Sequence, residues 1–207
     1  MKEQALLERI FPSKKHEVKR AILYDALKCF TQFGADSTTI EMIKQQSNMS
    51  IGSIYHHFKN KEGILAALFF AAIDDLNHLR EQQLIQSQNS KESVIAVIFS
   101  YIDWIEDHPH FAEIMLTREL DIMHSEHAER FKKRKSMYRK RLINWFSIPQ
   151  NIQDVQHVPR ELIPSLILGV TEHYAKTWLL GQTKSQPSQF KEELALMTWG
   201  LLESYQF

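Results

Sequence analysis

The sequence predicts an all-α protein, with a small head of three helices at the N-terminus and a larger helical body after it. The 207 residues include only six glycines and six prolines, so few positions interrupt a helix. Apolar residues recur at intervals of three and four, the period of an α-helix, and extended β-branched alternation is missing. A hydrophobic content of 43% is ample for a packed core and argues against disorder.

The first helix of the head is predicted to span residues 13–33 and to end at Gly34. The short amphipathic segment before Pro12 forms either an arm or an extra turn. Cys29 has apolar neighbours in the first helix and is expected to be a small buried hydrophobe. Because it is the only cysteine of the chain, an intramolecular disulfide is excluded.

Two short helices joined by a tight turn follow the first helix. Thr38 is expected to begin the second helix, and Glu41 three residues later completes a capping box. Asn48 ends that helix, because asparagine tolerates the left-handed conformation that a tight turn needs. Ser50 then caps the third helix. This helix-turn-helix arrangement is the shape that places its second helix in the major groove of DNA.

The body is expected to continue from the head without a flexible linker. A fourth helix is predicted from about Lys61 to Gln88, so the head passes into the body through a continuous helix. We predict a DNA-binding domain at residues 1–63 and a ligand-binding and dimerisation domain at residues 64–207. Further helices are predicted at 91–107, 110–123, 126–146, 161–180 and 188–205, with a polar loop at 150–157.

Charge is unevenly distributed along the chain, although the formal net charge is zero. Residues 1–63 carry 10 lysines and arginines against 7 acidic residues, and the remainder carries 15 against 18. A basic head on an acidic body is expected if only the head meets phosphates. The longest apolar run, residues 64–73, is too short to span a membrane, and no signal peptide is visible. We therefore expect a soluble cytoplasmic protein with no membrane partner.

About the first third of the chain resembles the head of the tetracycline-repressor (TetR) family of bacterial transcription regulators. The residues and spacings that carry the resemblance are Phe30, Gly34, Thr38, Thr39, Ile40, Ile43, Ser50, Gly52, Ile54, Tyr55, Phe58, Lys61, Glu62 and Leu65. The resemblance implies a DNA operator as partner and phosphate-gripping roles for Tyr55 and Lys61. It also implies a dimer, repression and a hydrophobic ligand, but it identifies none of the molecules involved.

The remaining DNA contacts are predicted from the residues themselves. Thr38 and Thr39 lie at a predicted helix N-terminus, where free N–H groups and hydroxyls favour a phosphate. Tyr55 and His56 end the third helix and contact DNA, or else they pack between helices.

Base reading is expected from the start of the third helix, at Ser50, Ile51, Gly52 and Ser53. Many relatives have a basic residue after the capping serine, whereas Ile51 can only pack on a thymine methyl or point away from DNA. We therefore expect modest direct readout, with DNA shape contributing much of the specificity.

The last two predicted helices carry wide apolar faces. The residues expected at a dimer interface are Leu162, Leu166, Gly169, Leu194, Met197 and Leu201. Two such helices paired with their copies would form a four-helix interface, and two heads would then read a palindromic operator. The alternative is a monomer that hides both faces in one core.

Large apolar residues in the body are candidates for a ligand pocket, although most are expected to be core. The candidates are Phe99, Trp104, Phe111, Met115, Tyr138, Tyr174 and Trp178, with Lys135 either turned inward or on the surface. Asp121, His124 and His127 share a helix face but lack cysteines and a supporting shell. We predict no metal, no cofactor and no catalytic residues, because the nucleophile, phosphate-loop and zinc motifs of enzymes are missing.

The hypothesis that these patterns favour is a homodimeric, sequence-specific DNA-binding transcriptional regulator, a repressor released by a small apolar or amphipathic ligand. The first alternative is a DNA-binding regulator without a small-molecule ligand, controlled by a partner protein. A helical metal-binding protein or enzyme is the remote alternative.

Overall fold

The structure is a computed structural model that describes residues 2–148 and 154–205. These residues form helices and connecting turns without a β-strand, which confirms the all-α fold class. The first helices are α1 (Lys2–Ile10), α2 (Glu17–Phe33), α3 (Ile40–Ser47), α4 (Ile51–Phe58) and α5 (Lys61–Gln86). The later helices are α6 (Ser90–Asp107), α7 (Pro109–Thr117), α8 (Glu119–Met123), α9 (Ala128–Trp145), α10 (Ile163–Leu179) and α11 (Lys191–Glu203). Short 3₁₀ turns, Lys14–His16 and Pro187–Phe190, precede α2 and α11.

Several predicted boundaries shift by a few residues. The segment before Pro12 is a full helix, α1, whose Leu6 and Leu7 are completely buried. The helix predicted at 110–123 is two helices, because the chain leaves helical geometry at Arg118. Of the loop predicted at 150–157, residues 150–153 lie outside the described residues, and 154–157 form turns.

Local caps define the helix-turn-helix segment. Ser50 caps α4 as predicted, its hydroxyl accepting a hydrogen bond from the Ser53 N–H at 3.1 Å. Asn48 has a φ of 53°, which confirms the left-handed turn after α3. The prediction for the start of α3 is wrong by one residue, because Thr39 is the N-cap and accepts from the Met42 N–H at 3.2 Å.

The chain forms two compact units. The first contains the residues up to Asp75 together with His108–Ala128, and the second contains Leu76–Asp107 together with the described residues from Glu129 onward. The chain passes from the first unit to the second inside α5. Gly63, the last residue of the predicted DNA-binding domain, lies near the start of that helix.

Each unit has its own apolar core. In the first unit, α1 to α4 each contribute fully buried side chains, among them Leu7, Ile22, Ile43 and Ile54. In the second unit, α6 lies against both α10 and α11, and the shared core includes Ile98, Ile167 and Trp199. Within the described ranges, no helix combines the length and hydrophobicity that a membrane span requires.

Candidate nucleic-acid interface and ligand cleft

One face of α4 is buried and the other is open to solvent. Ile54 and Phe58 are buried in the first unit, as predicted. On the other face, Ile51 is 43% exposed and Tyr55 is 49% exposed, and His56 is exposed as well. Tyr55 and His56 are therefore not sequestered between helices, which was the alternative to DNA contact.

The beginning of α4 leaves the backbone accessible. Gly52 is exposed, and a Cβ atom added there would meet only the Ser50 Oγ, at 4.0 Å. Ser50 itself is exposed, and Ser53 is half-buried. A neighbouring molecule could therefore approach this first turn closely, where a helix presents free N–H groups.

Thr38 and Thr39 have opposite environments. Thr39 is exposed at the N-cap of α3, as a phosphate-binding threonine would be. Thr38 is only 1% exposed, and its hydroxyl lies 2.7 Å from the Gly34 carbonyl oxygen and 3.1 Å from that of Cys29. The expected position of Thr38 at an open helix start is wrong, because its hydroxyl satisfies carbonyl oxygens at the end of α2.

Lys61 has an internal role that the sequence did not reveal. Its Nζ donates to the carbonyl oxygens of Ala35 at 2.8 Å and Asp36 at 3.0 Å. The side chain thereby fastens the start of α5 to the loop between α2 and α3. An ammonium group has more donors than these two contacts use, so a phosphate contact remains compatible with this position.

Histidines lie beside one another at the end of α4. The rings of His56 and His57 are 5.2 Å apart in an edge-on arrangement. Burial lowers the pKa of His57, and the nearby His56, Lys19 and His16 lower it further. His57 is therefore held neutral to lower pH than an isolated histidine.

Two ion pairs connect residues 118–126 to the helix-turn-helix within the first unit. The guanidinium of Arg118 lies 3.1 Å from the Asp36 carboxylate, and Lys59 Nζ lies 3.0 Å from that of Glu126. Because the partners are 67 and 82 positions apart in the sequence, no local sequence pattern predicts these ion pairs. These contacts brace the loop before α3 and the turn after α4.

Exposed apolar side chains mark α10 and α11 in the second unit. Leu162 is 41% exposed, Met197 67% and Leu201 51%. Gly169 is also exposed and Leu166 is half-buried. Leu194 differs from the other predicted interface residues, because it is buried in the core of its own unit.

An amphipathic cleft of about 430 Å³ lies between α5 and α9 in the second unit. Its apolar walls include Leu84, Leu142 and Trp145, and Arg80 also lines it. Trp145 is oriented by a hydrogen bond from its Nε1 to the Ser93 Oγ at 3.0 Å. The volume falls in the range of small-molecule sites, roughly 300–1,000 Å³.

Tyr138 lines this cleft, whereas the other predicted pocket residues do not. Trp104 is buried, and Phe111 and Met115 are buried in the first unit. The ring of Phe99 faces Lys191 Nζ, and the hydroxyl of Tyr174 donates to the Ser185 carbonyl oxygen. Trp178 is half-buried, and Lys135 is exposed with its Nζ 5.3 Å from the centre of the Phe131 ring.

The residues considered as metal ligands do not converge. Asp121 accepts a hydrogen bond from Arg118 at 3.2 Å, and the His124 Nδ1 lies 2.9 Å from the Leu120 carbonyl oxygen. Across residues 2–148 and 154–205, no group of three or more histidine, cysteine, aspartate and glutamate side chains could hold a metal ion.

The first unit thus carries a helix-turn-helix of the DNA-binding class, with an exposed second helix. Residues 22–68 match the sequence model of the bacterial regulatory proteins of the tetR family. The helix-turn-helix segment is therefore similar to that of the tetR family, and the match covers less than a quarter of the chain.

Two curated relatives match part of the chain. An uncharacterized HTH-type transcriptional regulator, YhgD of Bacillus subtilis, is 30% identical over 90 residues, which cover 44% of this chain and 47% of the relative. The HTH-type transcriptional repressor Rv1474c of Mycobacterium tuberculosis is 34% identical over 80 residues, covering 39% of this chain and 38% of the relative. The chain thus spans less than half the length of either relative.

A similarity to a solved structure covers the body of the chain as well as the head. The transcriptional regulator FadR of Bacillus subtilis, solved in complex with stearoyl-CoA, has a TM-score of 0.73 and 19% identity, over 91% of this chain and all of FadR. At this identity, the similarity shows only that this chain and FadR have the same fold.

Proposed function

We propose that this protein is a homodimeric, sequence-specific DNA-binding transcriptional regulator, and that it acts as a repressor released by a small apolar or amphipathic ligand. The observation that carries the proposal is the solvent-exposed face of α4, from Ser50 to Tyr55, in a capped helix-turn-helix. The match of residues 22–68 to the tetR family of bacterial regulatory proteins supports the same function.

Each part of that face suits a different part of DNA. Thr39, at an exposed helix start, would bind a phosphate, and Tyr55 and His56 would set the register on the backbone. Ser50 would take part in base reading. Ile51 would pack on a thymine methyl, while Gly52 allows close approach and Ser53 supplies a weakly discriminating hydroxyl. Lys61 would add a further phosphate contact.

The apolar faces of α10 and α11 support a homodimer. Side chains as large as Met197 and Leu201 are more than half exposed, which is unfavourable unless another surface covers them. A second copy of the chain would cover them symmetrically. Two heads would then read a palindromic operator whose half-sites are about 34–36 Å apart, or a multiple of that spacing.

The cleft in the second unit supports control by a small molecule. Its volume of about 430 Å³ and mostly apolar walls suit an amphipathic compound. FadR, with the same fold, was solved with stearoyl-CoA, and a curated relative is a repressor. A ligand changes DNA affinity only if it binds the two states differently, typically by about 1–3 kcal/mol.

Fluorescence anisotropy with a duplex from upstream of the protein's own gene tests the DNA-binding part. We expect tight, salt-sensitive binding relative to a scrambled duplex, and weaker binding by Tyr55→Phe. Tyr205→Phe, in the other unit, is the matched control and should bind as the wild type does. Equal binding to both duplexes by all three proteins, repeated with genomic fragments, would refute sequence-specific recognition.

A further inference from the structure

The cleft between α5 and α9 combines apolar walls with a buried positive charge. Leu84, Ile85, Leu142, Trp145 and Ile148 line most of it. Arg80 lines the same cleft but is only 9% exposed. Arginine is almost never buried to this degree unless its charge is paired or hydrogen-bonded.

The hydrogen bonds of Arg80 are incomplete. One guanidinium nitrogen, Nη1, donates to the Asn77 Oδ1 at 3.1 Å. The Nε atom is buried and has no hydrogen-bond partner among the described residues. Burial lowers the pKa of Arg80, while Tyr101, Glu172 and Glu81 oppose that shift. An arginine nevertheless remains protonated at neutral pH, so the cleft contains a cation with an unused donor.

The hydroxyl of Tyr101 is a second buried group near Arg80 without a hydrogen-bond partner among the described residues. Tyr101 lies on α6 and is 2% exposed. Burial and Glu172 raise its pKa well above the usual value, whereas the charge of Arg80 lowers it. The hydroxyl therefore stays protonated at neutral pH and can donate a hydrogen bond. Tyr101 is not one of the residues that line the cleft, so a ligand there would meet Arg80 and not this hydroxyl.

Glu81, the acidic residue among those that line the cleft, is already engaged. The Glu81 carboxylate accepts a hydrogen bond from Arg141 at 2.6 Å. A recess that shares Tyr138 and Arg141 with the cleft is also lined by Arg130, Lys133 and Arg134. The recess beside the cleft is therefore lined by several basic side chains, which attract anions.

We propose that the cleft binds an amphipathic anion, with its carboxylate or phosphate headgroup hydrogen-bonded to Arg80 and its apolar chain against Leu84, Leu142 and Trp145. A carboxylate or phosphate headgroup has two oxygens that can accept hydrogen bonds from a guanidinium. This inference rests on the proposed function, since it names the chemical class of the regulating ligand.

Calorimetry with three probes of equal chain length tests the proposal on the full chain without DNA. Decanoate and decyl phosphate carry the two candidate headgroups, and decanol has the same chain without a charge. We expect the wild type to bind at least one of the two anions about 10 to 100 times more tightly than decanol, as charge-assisted hydrogen bonds would provide. The tighter anion identifies the headgroup.

Two variants separate headgroup binding from structural support. Arg80→Met should lose the preference for the anion but keep decanol binding, and its melting temperature should not fall, because a buried charge is removed together with its desolvation cost. Lys140→Met, an exposed cation on α9 outside the cleft, should bind all three probes as the wild type does.

Some outcomes of these binding measurements would contradict the proposed anion site. Equal wild-type affinities for the anions and decanol, or an anion preference retained by Arg80→Met, would overturn the proposal. A variant that melts earlier and loses all three probes alike would show that Arg80 supports the fold instead. Because no operator is present in these measurements, a failure of operator release would refute the regulatory function without affecting this result.

Discussion

The buried hydroxyl of Thr38 donates to the carbonyl oxygen of Gly34 at 2.7 Å, within the loop that leads from α2 to α3. We expect Thr38→Val to lower the free energy of unfolding by about 1 kcal/mol, the net value of one such hydrogen bond. Urea unfolding followed by circular dichroism measures the change. Ser37→Ala, at the exposed neighbour, should leave the midpoint unchanged. Equal midpoints for wild type and Thr38→Val would show that the bond contributes nothing.

Helix α1 is held to the first unit by a two-pronged ion pair. Arg9 Nε and Nη2 lie 2.9 and 2.8 Å from the carboxylate oxygens of Asp75, which is only 3% exposed. Arg9→Met leaves that carboxylate buried without its cation, so we expect a loss of about 2 kcal/mol in unfolding free energy. Glu8→Gln, on the exposed face of α1, is the control. If Arg9→Met unfolds at the wild-type denaturant concentration, α1 is not anchored through this pair.

Lys61 serves the fold and is expected to serve DNA binding as well. Lys61→Met removes its hydrogen bonds to the Ala35 and Asp36 carbonyl oxygens, so stability should fall by about 1 kcal/mol. If its ammonium also contacts a phosphate, the slope of log affinity against log salt should decrease by about one. Lys184→Met, exposed in the second unit, should alter neither quantity. A changed stability with the wild-type salt slope would assign Lys61 to the fold alone.

Met197 is the most exposed of the large apolar side chains predicted at the interface. Met197→Asp should weaken the proposed dimer by about 2 kcal/mol or more, because it places a charge in an apolar interface. Light scattering across a dilution series should show a monomer at concentrations where the wild type is a dimer. Leu120→Asp is a matched control, since Leu120 is 65% exposed in the first unit. Identical masses for the two variants would argue against an interface at α11.

The lowered pKa of His57 makes stability depend on pH in a defined direction. The unfolded chain takes up a proton near the ordinary value of 6.5, but the folded protein does so only at lower pH. Below pH 6.5 the unfolded state binds more protons, so the free energy of unfolding falls as pH decreases toward the folded pKa. His57→Gln should reduce this fall in thermal melts between pH 7.5 and 5. A His57→Gln profile indistinguishable from that of the wild type would contradict the prediction.

Much of the helix-turn-helix could be predicted from the sequence. The Ser50 cap, the left-handed Asn48 and the inward Ile54 depend on residues within a turn of one another. The cap of α3 was misplaced because Thr38 and Thr39 are chemically alike. Only the carbonyl oxygens at the end of α2 distinguish them, and those are brought near Thr38 by the loop.

The ligand cleft was harder to predict. Tyr138 was recognised as a candidate, but apolar residues at helical spacing do not reveal which helix each one faces. The sequence around Arg80 does not indicate a ligand site, since an arginine in the middle of a helix is normally solvated. Its burial results from the packing around α5 in the second unit.

The sequence by itself determined the helical class, the capped helix-turn-helix and the apolar character of the last helices, because these depend on local spacing and side-chain chemistry. The tertiary structure alone decided that Arg9 meets Asp75, that Arg118 meets Asp36 and that Arg80 is buried in an apolar cleft. The physical reason is that burial and pairing depend on which distant segments pack together. That packing is a property of the whole chain, and no single helix encodes it.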